Sequence, residues 1–197
     1  MFQNVKLIFA LLFTSIFFLA CKSTTTDNNA AVAGSDSTET YFSIRQFLNN
    51  QWTLLKVEPI VFLKIVEEDG KIDSTYVPLD SALFESISAP FIAGDISNPE
   101  FVGKYKYSAS EDRSMDMIFL QYDALDETLI CRNLLISASA ESGRIATVYM
   151  ETQHSSFWST TIHKMTFTKT DAIVIREFSK SFMMSPDEKI TSYLQRY

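Results

Sequence analysis

Histidine, cysteine, tryptophan, proline and glycine are all scarce in this 197-residue chain: two His, two Cys, two Trp, five Pro and five Gly. Each shortage excludes something. Two histidines, His154 and His163, with no third ligand at metal spacing, do not make a zinc site, which takes three or four convergent donors. Two cysteines exclude a disulfide-built scaffold. Five glycines leave few residues for tight barrel corners, so a sheet in this chain is expected to be open or half-closed. The sequence holds no G-x-S-x-G, P-loop, G-x-G-x-x-G, H-E-x-x-H or EF-hand pattern. Neither a catalytic set nor a cofactor is therefore expected.

Apolar residues are plentiful, at 46%. Leu7 to Ala20 interrupts its apolar run only at Thr14 and Ser15. That is shorter than the ~20 residues a spanning helix needs. Behind the single basic Lys6 it has the form of a signal-peptide core over residues 1–20. Phe18-Leu19-Ala20-Cys21 closes it and resembles a bacterial lipobox, in which cleavage precedes a Cys that carries acyl chains. The resemblance implies lipidation at Cys21 and membrane attachment through acyl chains, palmitate among them, each buried methylene giving ~0.8 kcal/mol. Beyond Cys21, residues 21–40 are mostly Ser, Thr, Asn, Asp, Ala and Gly, with no aromatic and Val32 as the one large aliphatic, and read as a flexible polar tether. Residues 41–197 read as a single domain, long enough for a real core.

Without Lys6, 16 basic and 24 acidic residues leave a net charge of −8 on the mature chain. Such a surface disfavours nucleic acid and anionic lipid. With Cys21 acylated, Cys131 has no partner; in Leu129-Ile130-Cys131 it reads as a small core hydrophobe.

Ser43-Ile44-Arg45-Gln46 fits a helix-opening capping box, with Phe42 and Phe47 at the hydrophobic-staple positions. Ile44, Phe47, Leu48, Trp52 and Leu55 then mark one helix face to about Lys56. Residues 60–66 are apolar on both faces, which means either a strand covered on both sides or a continued helix. Asp69-Gly70 between two such runs predicts a hairpin. Asp80 reads as the cap of a second helix bearing Leu83, Phe84, Ile87 and Phe91, broken or kinked at Pro90. After Gly103 the pattern predicts strands near 103–109, 114–123, 128–138, 144–153, 160–168 and 172–182. Residues 190–197 are either a last strand, the preferred reading, or a short helix. The expectation is an α+β domain with a large antiparallel sheet of about 6–9 strands, open or half-closed, and two helices packed on one face.

Phe157-Trp158 sits in a predicted strand-to-strand loop, either as a recognition patch or folded back on the sheet edge. The acidic turns Glu67-Glu68-Asp69 and Glu111-Asp112 read as solvated rather than catalytic. Asp36-Ser37, Asp73-Ser74 and Asp80-Ser81 resemble short O-glycosylation acceptors, making Ser37, Ser74 and Ser81 possible sites. The lipobox, the tether, the YFSIRQFLNNQW opening and the FIAGDISNPEF loop before a β meander together resemble a group of small Bacteroidota-type lipoproteins of unknown function. That resemblance implies a cell-envelope address, an outer membrane lipoprotein facing the periplasm or the cell surface, and names no catalytic residue. The expected role is a non-enzymatic binding or assembly module with envelope proteins as partners. The alternative is a carrier of an apolar or lipid-like ligand between a curved sheet and the helices.

Overall fold

A computed structural model describes residues 40–169 and 171–196. Cys21, Ser37 and the expected signal and tether lie outside them, apart from Thr40. The first helix, α1 (Ile44–Leu55), starts where its cap predicts: the Ser43 hydroxyl accepts the Gln46 amide at 3.2 Å, and the Phe42 and Phe47 rings meet at 6.0 Å. The hairpin of β1 (Val61–Glu68) and β2 (Lys71–Pro78) follows, and both turn residues, Asp69 and Gly70, have positive φ (52° and 69°). The second helix, α2 (Ser81–Ala93), is capped by Asp80, whose carboxylate accepts the Leu83 amide at 2.7 Å. A single 3₁₀ turn, Pro99–Phe101, leads to β3 (Tyr105–Asp112). Then come β4 (Met117–Ala124), β5 (Cys131–Ser139), β6 (Ile145–Ser155), β7 (Ser159–Thr168), β8 (Ala172–Ser181) and β9 (Asp187–Arg196). The last segment is thus a strand.

The nine strands form one antiparallel sheet in the order β2-β1-β9-β8-β7-β6-β5-β4-β3. β2 and β3 are its edges, so it is open. The meander from β3 to β9 is the one the short connections predict. The early hairpin joins it at the far end, with Val61 opposite Arg196. The fold class is α+β, as the sequence predicts.

One local reading needs correction. Residues 60–66 are a strand covered on one face only: Phe62 is buried, while Leu63 to Val66 are half-buried. Of the two outcomes expected at Pro90, a break or a kink, the break does not occur: Pro90 lies inside α2. The carbonyl that loses its partner belongs to Ser86, on the exposed side. In β6, Ala146 is the extra residue of a bulge, and Ile145 pairs with Ala138 in its place.

One face of the sheet carries the core. Leu134, Ile136, Val148, Met150, Met165, Phe167 and Ile173 point from the strands, and Ile44, Leu48, Ile87 and Phe91 from the helices. Phe167 meets Phe47 at 5.4 Å and Phe91 at 6.4 Å, both edge to face, and Trp52 stacks on Phe84 at 5.0 Å. Gly94, at the end of α2, approaches the sheet so closely that a Cβ there would lie 2.5 Å from Met150 Sδ and 2.7 Å from Thr152 Cγ2. In the same helix Ser88 is buried and its hydroxyl has no hydrogen-bond partner. Two opposite outcomes are expected in urea unfolding. Gly94→Ala lowers stability by about 1–3 kcal/mol through overpacking. Ser88→Ala raises it by about 1 kcal/mol by removing an unsatisfied polar group. Equal shifts of one sign would contradict this packing.

Candidate functional site

The sheet has two ends of unlike chemistry. At one, the turns after β3, β5 and β7 bear Asp112, Arg113 and Asp116, then Glu141 and Arg144, then Lys169 and Asp171. Met115 is the exposed apolar exception there. At the other end, the loops after β4, β6 and β8 bear Leu125 and Ile130, then Phe157 and Trp158, then Phe182, Met183 and Met184, all exposed. Asp126 and Glu127 share the first of these loops. Asp126 is turned onto its own backbone: the Thr128 amide donates to it at 2.7 Å and holds its carboxyl below the usual range. The β1–β2 turn completes this end with charged residues.

The Phe157-Trp158 loop is a tight hairpin tip. Ser156 N donates to the Ser159 carbonyl at 2.7 Å, and Ser159 N donates to the Ser156 hydroxyl at 3.1 Å. The two rings stand outside it, 86% and 65% exposed, and do not fold back on the sheet edge. They meet edge to face at 4.8 Å, and Phe182 adds a third ring 6.1 Å from Trp158. The neighbouring tip is tied in through Phe182 N, which donates to the Trp158 carbonyl at 2.9 Å. Phe182, Met183 and Met184 are 72%, 89% and 72% exposed. The sequence reading missed this trio, taking Phe182 as the end of a strand. The available signal was FMM between Ser181 and Ser185-Pro186, an uncharged apolar run at a turn.

A cleft of about 660 Å³ opens at the charged end, between α1 and the lower parts of β4 to β6. Phe42, Phe47, Leu54, Ile118 and Ile145 form its apolar walls; Gln46, Asn50, Gln51, Glu141 and Arg144 line its mouth. The space between helices and sheet, where the carrier reading puts its ligand, is occupied by Phe47, Phe91, Met150, Met165 and Phe167.

The remaining residues singled out in the sequence fall apart from these features. His154 is exposed, and His163 Nε2 lies 3.5 Å from Glu177 on the inner sheet face. Glu68 pairs with Lys189 at 3.1 Å and Glu111 with Arg113 at 3.5 Å. Asp112 accepts from the Ser114 hydroxyl at 2.6 Å. Ser74 is exposed on edge strand β2, and Ser81 is exposed as the first residue of α2. Among the described residues, no group of three or more His, Cys, Asp or Glu side chains is gathered as a metal site. None of their helices is long and apolar enough to cross a membrane.

Cys131 is buried in the core beside Tyr105, whose hydroxyl donates to its carbonyl at 3.0 Å. Burial first, then the nearby Asp95 carboxylate, pushes the thiol up to about 12. Burial likewise raises Tyr122 to about 12 and lifts Tyr105. In the unfolded chain these groups release protons near their ordinary values of 9.0 for Cys and 10.0 for Tyr, while the folded protein keeps them. Their contribution is therefore intact below pH 9 and is lost as pH rises from there to about 12. The urea midpoint is expected to fall steadily above pH 9, and iodoacetamide at neutral pH to leave Cys131 unmodified until the protein unfolds. A flat midpoint with rapid alkylation would contradict it.

Compared with protein-family models, with curated proteins and with solved structures, the chain matches none.

Proposed function

We propose that this chain is a cell-envelope lipoprotein, held at the outer membrane by acyl chains on Cys21, whose domain is a non-enzymatic binding or assembly module. The observation that carries the binding role is the cleft of about 660 Å³ along α1. It combines an apolar floor with amide and charged groups at its mouth, the mixture that lets a site hold a segment and fix its orientation. Exposed Gln46 and Asn50 lie one helical turn apart on the α1 rim, across from the turn bearing Glu141 and Arg144. The partner is an envelope protein that offers a segment with apolar side chains and backbone hydrogen-bonding groups. The runner-up, carriage of an apolar ligand, draws on the same floor of Phe42, Phe47, Leu54, Ile118 and Ile145.

Two measurements test the two halves. Cys21→Ala is expected to abolish incorporation of labelled palmitate and to leave a precursor heavier by the signal peptide. Unchanged labelling would refute the anchor. Asn50→Cys, carrying a photo-cross-linker in intact cells, is expected to give one discrete protein adduct that is absent when the linker sits at Ser74. The buried Cys131 does not compete for the label. A lipid adduct instead would favour the carrier, and an identical pattern from both positions would refute the cleft as the binding site.

A further inference from the structure

We infer that the apolar end of the sheet is a membrane-seating surface: Phe157, Trp158, Phe182, Met183 and Met184 enter the interfacial layer of the bilayer to which the chain is anchored. The inference rests on the anchor at Cys21 and goes beyond it by fixing which end of the domain faces the lipid.

Four observations carry it. First, the side chains project from hairpin tips, whereas turn chemistry favours Gly, Asn, Asp, Ser or Pro at such places. Nothing in the turn needs two aromatic rings. They form a convex knob, suited to entering a soft phase rather than to receiving a ligand. Second, Ser155 to Ser159 and Ser181 to Pro186 contain no charged residue. Four of their amides are satisfied internally: Ser156 N and Ser159 N within the first tip, Phe182 N on the Trp158 carbonyl, and Met184 N on the Ser181 carbonyl at 3.3 Å. The headgroup layer still hydrates the remaining amides, and each internal bond lowers the cost of leaving bulk water. Trp settles at the headgroup level, and Trp and Phe together are typical of the buried face of interfacial segments.

Third, the turns at the opposite end are charged, whereas at this end the charged residues lie in the loop after β4 and in the β1–β2 turn, to either side of the apolar tips after β6 and β8. Fourth, the tether enters at the apolar end. Tyr41, the first residue past the tether, accepts the Gly103 amide at 2.9 Å and donates to the carbonyl of Tyr105, the first residue of β3. β3 begins at the end where β6 and β8 finish. A coil with the length and polar composition of residues 21–40 is expected to have a root-mean-square span of roughly 25 Å. The tips thus meet lipid as an intramolecular event, and modest insertion suffices. The acidic net charge makes the surface a zwitterionic one, bound through apolar contact and insensitive to salt.

The test uses the full acylated chain reconstituted in phosphatidylcholine vesicles, with and without brominated acyl chains. Fluorescence of the wild type minus that of Trp158→Phe isolates Trp158, leaving Trp52 in place against Phe84. Blue-shifted Trp158 emission is expected, quenched at least about twofold by the brominated lipid at low and high salt alike. Replacing Phe182, Met183 and Met184 by Ser is expected to remove most of that quenching without moving the urea midpoint, because all three are exposed. Acylation of Cys21 is read separately by intact mass. An acylated chain that co-floats with vesicles while Trp158 stays red-shifted and unquenched overturns the seating surface and leaves the anchor standing. An unacylated chain overturns the anchor, and the same quenching, read at high vesicle concentration, still decides the seating. Shielding of Trp158 by envelope protein and not by lipid overturns the inference in favour of a protein partner.

Discussion

The Asp95 carboxylate ties the start of α1 to the segment that follows α2. One oxygen accepts the Ile44 amide at 3.2 Å and the Ser97 amide at 3.1 Å; the other accepts the Arg45 amide at 3.1 Å and lies 3.5 Å from the Ser43 hydroxyl. A negative group thus sits on the unpaired amides at the N-terminus of α1, where the helix dipole favours it. Its neighbour Gly94 presses the end of α2 onto Met150 and Thr152. The pair fixes the start of one helix to the end of the other and both to β6. Hydrogen bonds to a charged group are each worth about 1.5–3 kcal/mol, so this junction outweighs any of the surface ion pairs, which are worth about 0–1 kcal/mol.

Around that junction the two helices cross the inner face of the sheet. α1 carries the chain across the inner face from the β3–β4 side, where Tyr41 packs on Tyr105 and Tyr122, to β1 beside β9. α2 carries it back from edge β2 to edge β3. Two antiparallel crossings bury the aromatic stripes on one face and leave the turns at both sheet ends uncovered. Those turns are free to differ in chemistry, and they do: charged around the α1 cleft, apolar around Trp158. A domain seated on its apolar end would present the cleft away from the bilayer.

Local features were legible in the sequence because local physics decides them. Ser43 with Phe42 and Phe47, Asp69-Gly70 and Asp80 each act within a few residues, and each is where the pattern put it. Cys131 in its apolar run is a core thiol, as read. What escaped the sequence acts at a distance. Asp95 looks like a loop residue until the 50 residues separating it from Arg45 are folded away. The pairing of β1 with β9 joins Val61 to Arg196 with no local signature. Pro90 does not break α2 because helix packing overrides one lost hydrogen bond when Phe91 and Ile87 are buried beside it. Half of the apolar knob was visible as Phe157-Trp158. The other half, Phe182 to Met184, was hidden because an apolar run before a turn reads the same whether it ends a strand or caps a sheet.

The orientation of the domain on its membrane is the central claim, and electron paramagnetic resonance depth measurement tests it most directly. Spin labels at Met184→Cys and at Ser142→Cys mark the two sheet ends of the acylated chain in phosphatidylcholine vesicles. The account predicts that the Met184 label is accessible to oxygen and shielded from a water-soluble relaxant, while the Ser142 label is fully exposed to that relaxant. Equal exposure of both labels, or shielding of the Ser142 end, would contradict it.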